Sequence, residues 1–252
     1  MNIKMKALVV AAVATMSISG AANAFDRGGD SSVFLTLLDR TNNISAVFDL
    51  GLNYHTFTPD VINTSGGFSW DLSAGEYADT WNTFFATADA SSTKWAVAAF
   101  DNLGNNRVAG EFGFITTVRD GAALPDPMVT NVITQVTGPM NNYLVANERN
   151  GNVSTSGQGY AGYVYSGEHG SLWGRGPQSL AEFGAEQSLV QYLSGAGVIG
   201  RGSVVPYDEV VSIRLDANGA LILAAVPEPE TYALLLAGLG LVGVAARRRK
   251  SA

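Results

Sequence analysis

The distribution of apolar and polar positions predicts β-strands in the first half of the chain. Residues 32–38 and 45–52 are short apolar runs, and the turn-rich residues 39–43 separate them. This arrangement predicts a hairpin with a loop longer than two residues. Residues 94–100 form a third apolar run, which ends at a stretch rich in Asp, Asn and Gly. We predict a third strand there.

A second hairpin is predicted near the end of the central region. Val211, Ile213 and Leu215 alternate with Ser and Arg, and an Asp-Ala-Asn-Gly stretch then leads into the apolar residues 220–225. Alternation of this kind indicates a half-buried strand, and the Asn-Gly pair is typical of a tight hairpin turn. Residues 159–166 alternate less regularly and are also predicted to form a strand.

Two segments have the pattern of a helix. Asp126 and Pro127 supply an N-cap and a first-turn proline, and the apolar residues that follow up to position 136 fall near one helical face. Pro139 should end or kink this helix, which then resumes towards Ala146. A second helix is predicted over residues 179–192. Together these patterns predict a mainly β, β-sandwich-like domain with one or two helices, spanning residues 25–225 as a single unit.

The N-terminal residues 1–24 have the pattern of a secretory signal peptide. Lys4 and Lys6 give a positive start, an apolar run follows, and Ala22 and Ala24 form a small-x-small cleavage pattern. We expect residues 1–24 to be removed and the exported chain to begin at Phe25. The alternative, a buried N-terminal helix, explains fewer of these features.

The C-terminal residues 226–252 consist of three consecutive parts. Val226-Pro227-Glu228-Pro229-Glu230 is acidic, and its two prolines hold the backbone extended. Residues 231–246 contain no charge and predict a single short transmembrane helix, slightly shorter than a bilayer core of about 30 Å. Arg247, Arg248, Arg249 and Lys250 follow directly and predict a cytoplasmic end. An ordinary tail anchor is the alternative interpretation.

This tail resembles the PEP-CTERM sorting signal of Gram-negative bacteria. Its sorting motif is Val226-Pro227-Glu228-Pro229, and its basic stop is Arg247 to Lys250. The resemblance implies processing by an exosortase, a membrane transpeptidase. It also implies transient residence in the inner membrane, and then delivery to the cell surface or to an extracellular matrix rich in exopolysaccharide. The resemblance covers about a tenth of the chain and implies little about the body, residues 25–225.

Composition narrows the classes of function that are open to the body. The chain has 15 basic and 22 acidic residues and no cysteine. Without the predicted signal and tail, nine basic and 20 acidic residues give a net charge of −11, and Lys94 is the only lysine left. A nucleic-acid partner is not expected of such an acidic body. Thiolate metal sites and disulfides are excluded.

No pattern in the body specifies catalysis or a cofactor. His55 and His169 are its only histidines, and the chain has neither a Gly-x-Ser-x-Gly elbow nor a His-x-x-x-His pair. Two Gly-x-Gly-x-x-Gly matches, at 157–162 and 195–200, lack the strand-then-helix context of a dinucleotide site. Turns at Asp101 and Asp216 carry oxygen ligands suited to calcium, but Asx-turns explain them without metal. We therefore expect no enzyme activity, no cofactor and no metal.

Aromatic residues are candidates for binding a carbohydrate ligand. Trp70, Trp81 and Trp173 are candidates for stacking against sugar rings, although packing in the core is the interpretation that we favour for these aromatic residues. The leading hypothesis is an exported surface or matrix protein associated with exopolysaccharide. A carbohydrate-binding module is the alternative, and a secreted polysaccharide or protein hydrolase is a weaker one.

Overall fold

A computed structural model describes residues 16–17, 24–105, 108–148, 151–207 and 211–225. Most of the predicted signal peptide, and all of the predicted sorting signal 226–252, lie outside these ranges.

The described residues form fourteen strands and three α-helices. The strands are β1 Met16–Ser17, β2 Ser32–Asp39, β3 Ile44–Asn53, β4 Phe68–Asp71, β5 Thr93–Asp101, β6 Gly113–Arg119, β7 Asn152–Ser154, β8 Tyr165–Ser166, β9 Ser171–Leu172, β10 Ala181–Glu182, β11 Glu186–Leu193, β12 Ser203–Pro206, β13 Val211–Leu215 and β14 Ala220–Ala225. The helices are α1 Pro59–Ser65, α2 Ala78–Phe85 and α3 Thr130–Asn147.

Twelve of the strands belong to one curled sheet. Its order is β1-β4-β14-β13-β11-β6-β5-β2-β3-β7, with β10 joined to β5 and β12 joined to β11. Every pairing is antiparallel except that of β1, which lies within the predicted signal peptide and runs parallel to β4. The mainly β class is confirmed. The sandwich prediction is corrected, because one continuous sheet replaces two, and three helices replace one or two.

The curl of the sheet produces two cores. On the inner face, Leu35 of β2 and Leu221 of β14 belong to the same buried cluster although four strands separate β2 from β14. On the outer face, α3 and residues 160–180 cover a second cluster that includes Phe34 and Phe100. Strands β2 and β5 are buried on both faces, so their sequences are continuous apolar runs. Strand β13 exposes Arg214 and therefore alternates.

Both predicted hairpins are confirmed, as β2–β3 and β13–β14, and the strand predicted at 94–100 is β5. The helix predicted from Asp126 is α3, although it begins at Thr130. Pro139 lies inside this helix instead of ending it. The preceding residue is Gly138, and its missing Cβ removes one clash that a proline imposes on the residue before it.

Two element predictions are wrong. Residues 159–166 form a short 3₁₀ turn at Ala161–Tyr163 and only the two-residue strand β8. Residues 179–192 contain β10 and most of β11 instead of a helix. In β11, Leu189 faces the inner core and Val190 the outer core, so the period is two.

Candidate functional site

The last strand of the body ends where the predicted sorting signal begins. Strand β14 ends at Ala225 and lies between β13 and β4, with Leu221 and Leu223 completely buried. The predicted sorting residues Val226, Pro227, Glu228 and Pro229, and the basic stop Arg247, Arg248, Arg249 and Lys250, lie outside the described residues. The tail is therefore attached directly to an interior strand of the sheet, without a loop before it.

The other predicted processing site is at the beginning of the body. Ala22 lies outside the described residues, whereas Ala24 is described and exposed. The next residue, Phe25, is 3% exposed and packs in the outer core cluster. The predicted cleavage position is therefore accessible, and the packed structure begins one residue later.

Two of the three candidate sugar-stacking tryptophans lie in the inner core. Trp70 is 4% exposed, and its Nε1 donates to the carbonyl oxygen of Leu50 at 2.9 Å. Trp81 is 7% exposed and packs against Phe85 and Phe183. Neither ring presents a face to a ligand, since both are enclosed by protein.

Trp173 has different surroundings. It is partly exposed, and its ring makes an edge contact with that of Tyr163, which is 43% exposed, at a centroid distance of 5.1 Å. The backbone of Trp173 has a φ of 49°, in the left-handed region that bulky residues rarely adopt. Its N–H donates to the carbonyl oxygen of Val164 at 2.7 Å, which holds this conformation. Strain of this kind is concentrated at functional sites.

A small cleft lies beside the same segment of chain. Strands β8 and β9 form a two-stranded hairpin, with Tyr163 just before it and Trp173 just after it. Residues 167–170 connect the two strands, and Glu168 in this connection lines a cleft of about 250 Å³. The cleft is also lined by Arg40 and Lys94, so two cations of an acidic body meet there.

The structure also pairs a histidine with a buried acid that the sequence pattern did not connect. His55 Nε2 lies 3.0 Å from Asp101 Oδ2, and the other Asp101 oxygen accepts the N–H of Leu103 at 2.8 Å. Burial raises the pKa of Asp101, although the Leu103 N–H and His55 oppose this effect. Both residues line a cavity of about 390 Å³ with Glu111. Among the described residues lining this cavity there is no serine, threonine or cysteine to act as a nucleophile.

His169 does not join this pair, because its Nδ1 lies 3.5 Å from Lys94 Nζ on another part of the surface. Within the described ranges, no three His, Asp or Glu side chains are grouped so that they could hold a metal ion. The second glycine-rich match, at 195–200, is followed by β12 instead of a helix. In the part of the chain that the structure describes, no helix has the length and apolar character needed to cross a membrane.

Comparison with known proteins identifies only the tail. Residues 225–250 match the family model of the PEP-CTERM protein-sorting motif. The resemblance inferred from the Pro-Glu-Pro residues and the basic stop is thus confirmed. No curated protein and no solved structure matches the chain. The match begins at Ala225, the last residue of β14.

Proposed function

From the PEP-CTERM protein-sorting motif that the chain carries at residues 225–250, we propose that it is an exported surface or matrix protein. Its body, residues 25–225, crosses the inner membrane, and an exosortase then removes the tail near Pro227-Glu228-Pro229. The body is a non-enzymatic component of a layer that contains exopolysaccharide. The observation that carries this proposal is the motif match, which begins where the folded body ends.

The length of the connecting segment supports processing next to the membrane. Five residues, 226–230, separate β14 from the apolar segment that begins at Thr231. Fully extended, they span at most about 18 Å. The two prolines keep a peptide extended, which is the form that a protease groove binds. A membrane-embedded transpeptidase therefore has access to this segment while the body stays folded outside.

The charge of the body is compatible with a place in a hydrated layer. A net charge of −11 keeps a protein soluble and repels anionic lipid surfaces once the tail is gone. Without the tail, electrostatic attraction therefore does not hold the body at the membrane surface.

The test is the intact mass of the protein recovered from its host, beside a variant with Pro227→Ala and Pro229→Ala. We expect the native protein to lack both residues 1–24 and the apolar-basic tail, and the variant to accumulate uncut in the inner membrane. Pro127→Ala, in a loop of the body, is the matched control and should be processed normally. A surface-recovered mass that still contains residues 231–250 would mean a permanent anchor and would refute the proposal.

A second candidate function, carbohydrate binding, is favoured by one observation. Tyr163 is exposed and Trp173 partly exposed, their rings lie in edge contact beside a strained backbone position, and aromatic rings of this kind stack on the C–H surfaces of sugars. Trp173→Ala should abolish saturable retention of the processed protein on polysaccharide from its host, whereas Trp70→Phe in the core should not. Equal retention of native protein and Trp173→Ala would exclude this site.

A further inference from the structure

The cleft beside the β8–β9 hairpin contains an arginine that is held in place but not neutralised. Arg40 directly follows β2, and its Nη2 donates to the carbonyl oxygen of Tyr165 at 2.5 Å. Among the described residues, no carboxylate lies within 4.0 Å of its guanidinium, and no other hydrogen bond from this group is formed. Arg40 therefore keeps most of its donors for a ligand.

Hydrogen bonds to Asp39 hold the loop that carries Arg40 in a fixed conformation. Asp39 is buried, and its Oδ1 accepts the N–H groups of Thr41 and Asn42 at 2.9 and 3.2 Å. Its Oδ2 accepts the Asn42 amide at 2.8 Å and the Asp89 N–H at 2.9 Å. With four donors satisfied by Asp39, the loop is preorganised, and little ordering of Arg40 is needed on binding.

Lys94 supplies a second cation from β5. Its side chain is only 20% exposed, and its ammonium lies 3.3 Å from the Glu168 carbonyl oxygen and 3.5 Å from Glu182 Oε1. These distances are at or beyond the long end of the hydrogen-bond range. The ion pair with Glu182 is thus a long one, and a ligand carboxylate would share Lys94 with Glu182.

The rest of the cleft is suited to a hydroxylated ring. Leu38 and Leu180 line it and supply apolar surface, while Thr41 and Ser92 supply hydroxyls. The cleft of about 250 Å³ is smaller than the pockets of about 300–1,000 Å³ that hold drug-sized ligands, so it accommodates a single sugar ring.

We propose that this cleft, lined by Arg40, Lys94 and Glu168, binds a sugar acid, a ring that carries one carboxylate and several hydroxyls. The planar guanidinium of Arg40 takes the carboxylate in a two-point contact. The Glu168 carboxylate accepts hydrogen bonds from ring hydroxyls, and it repels a doubly charged anion such as phosphate. This inference deepens the second candidate function, and it makes the carbohydrate partner an acidic one.

The test is a chemical-shift titration of the processed protein from its host, with glucuronate as the probe. Acetate, glucose and inorganic phosphate separate the contributions of carboxylate, ring and charge. We expect saturable shifts in residues 38–41, 92–94 and 168 with glucuronate, and at least tenfold weaker binding with each of the other probes. Arg40→Gln and Lys94→Gln should each weaken glucuronate binding at least tenfold. Arg27→Gln, at an exposed residue that does not line the cleft, is the matched control and should bind normally.

Two further results complete the test. Arg40→Lys keeps the charge but loses the planar fork, so its affinity should fall between those of the native protein and Arg40→Gln. Absent glucuronate binding, equal binding of acetate or phosphate, or unchanged affinity in both Gln variants would overturn the proposal. Trp173→Ala tests the aromatic pair separately, and intact mass tests sorting, so failure at the cleft is distinguishable from failure of either.

Discussion

Among the described residues, Asp39 is a clear case of a charged side chain that stabilises the folded body. Burial raises the pKa of Asp39, but the hydrogen bonds from Asn42 and from the Asp89 backbone outweigh burial and hold the pKa below its usual value. Asp39→Asn should lower the free energy of unfolding by about 2 kcal/mol at pH 7, because charge-assisted bonds are lost. Urea unfolding measures this. Asp120→Asn, exposed at the surface, is the control and should change it by less than about 0.5 kcal/mol.

The pH dependence of this effect has a definite sign. A carboxyl with a depressed folded-state pKa stabilises the protein above its unfolded pKa of about 3.9, and this contribution is lost as the pH falls through the folded pKa. The difference between native protein and Asp39→Asn should therefore be constant from pH 7 to 5 and should shrink below about pH 4. A difference that grows on acidification would contradict the assignment.

The pKa of Glu76 is shifted in the opposite direction to that of Asp39. Both of its carboxylate oxygens are buried without a hydrogen-bond partner, and burial, followed by the charge of Asp49, raises the pKa of Glu76. A raised folded-state pKa makes the ionised form destabilising at neutral pH, and this penalty disappears below the unfolded pKa of about 4.3. Glu76→Gln should raise the free energy of unfolding by about 1 kcal/mol at pH 7 and by almost nothing at pH 4. Urea unfolding at the two pH values checks this, and destabilisation at pH 7 would refute it.

At the scale of elements, Gly113 shows how tightly β6 packs against its neighbours. A Cβ at this position would lie 2.6 Å from the carbonyl oxygen of Tyr192, and the Tyr54 hydroxyl would be nearer still. Gly113→Ala should therefore cost about 1–3 kcal/mol in urea unfolding. Gly176→Ala places its Cβ 3.6 Å from that of Leu172, an ordinary contact, and should cost less than about 0.5 kcal/mol. Equal effects of the two substitutions would contradict this account.

Elements with a strong local pattern are the ones that the sequence predicts. Both hairpins combine apolar strand segments with turn-forming residues between them, namely residues 39–43 before β3 and the Asn-Gly turn before β14. Helix α1 was not predicted, although Thr58 caps it, Pro59 begins it and Gly66 ends it with a φ of 74°. Its signals are complete but span only seven residues, too few for helical periodicity to stand out. The strand predicted at residues 159–166 is wrong because tyrosine favours strands and also packs well in irregular turns.

The candidate sites also differ in how far the sequence alone can predict them. The sorting motif is contiguous in sequence, so its residues are recognisable without a structure. The cleft joins Arg40, Lys94 and Glu168, which are separated by 54 and 74 positions, and only the sheet brings them together. No local sequence pattern distinguishes the three tryptophans from one another. In the fold, the curl of the sheet encloses Trp70 and Trp81 and leaves Trp173 partly exposed. Burial is a property of the whole fold, and a local pattern does not determine it.

At the scale of the molecule, the end of β14 determines where the tail can be cut without loss of the fold. A body that ends at Ala225 retains all of β14, with Leu221 and Leu223 completely buried between β13 and β4. A body that ends at Gly219 loses both side chains, each contributing about 1.5–3 kcal/mol of burial, and opens the edges of β13 and β4. We expect the first body to unfold cooperatively with the urea midpoint of the full chain and the second to be unfolded.

Circular dichroism and urea unfolding of the two truncated proteins check this prediction, with Leu221→Ala in the longer one as an intermediate case that should lose about 2–5 kcal/mol. Such a loss approaches the whole stability of many domains, which is about 5–15 kcal/mol. Cleavage on the C-terminal side of Ala225 would then release a folded body, whereas cleavage within β14 would release an unfolded one. If the body ending at Gly219 folds as well as the longer one, the sheet does not constrain the cleavage position. If it does not fold, a cut that releases a folded body must lie on the C-terminal side of Gly219, within or after β14.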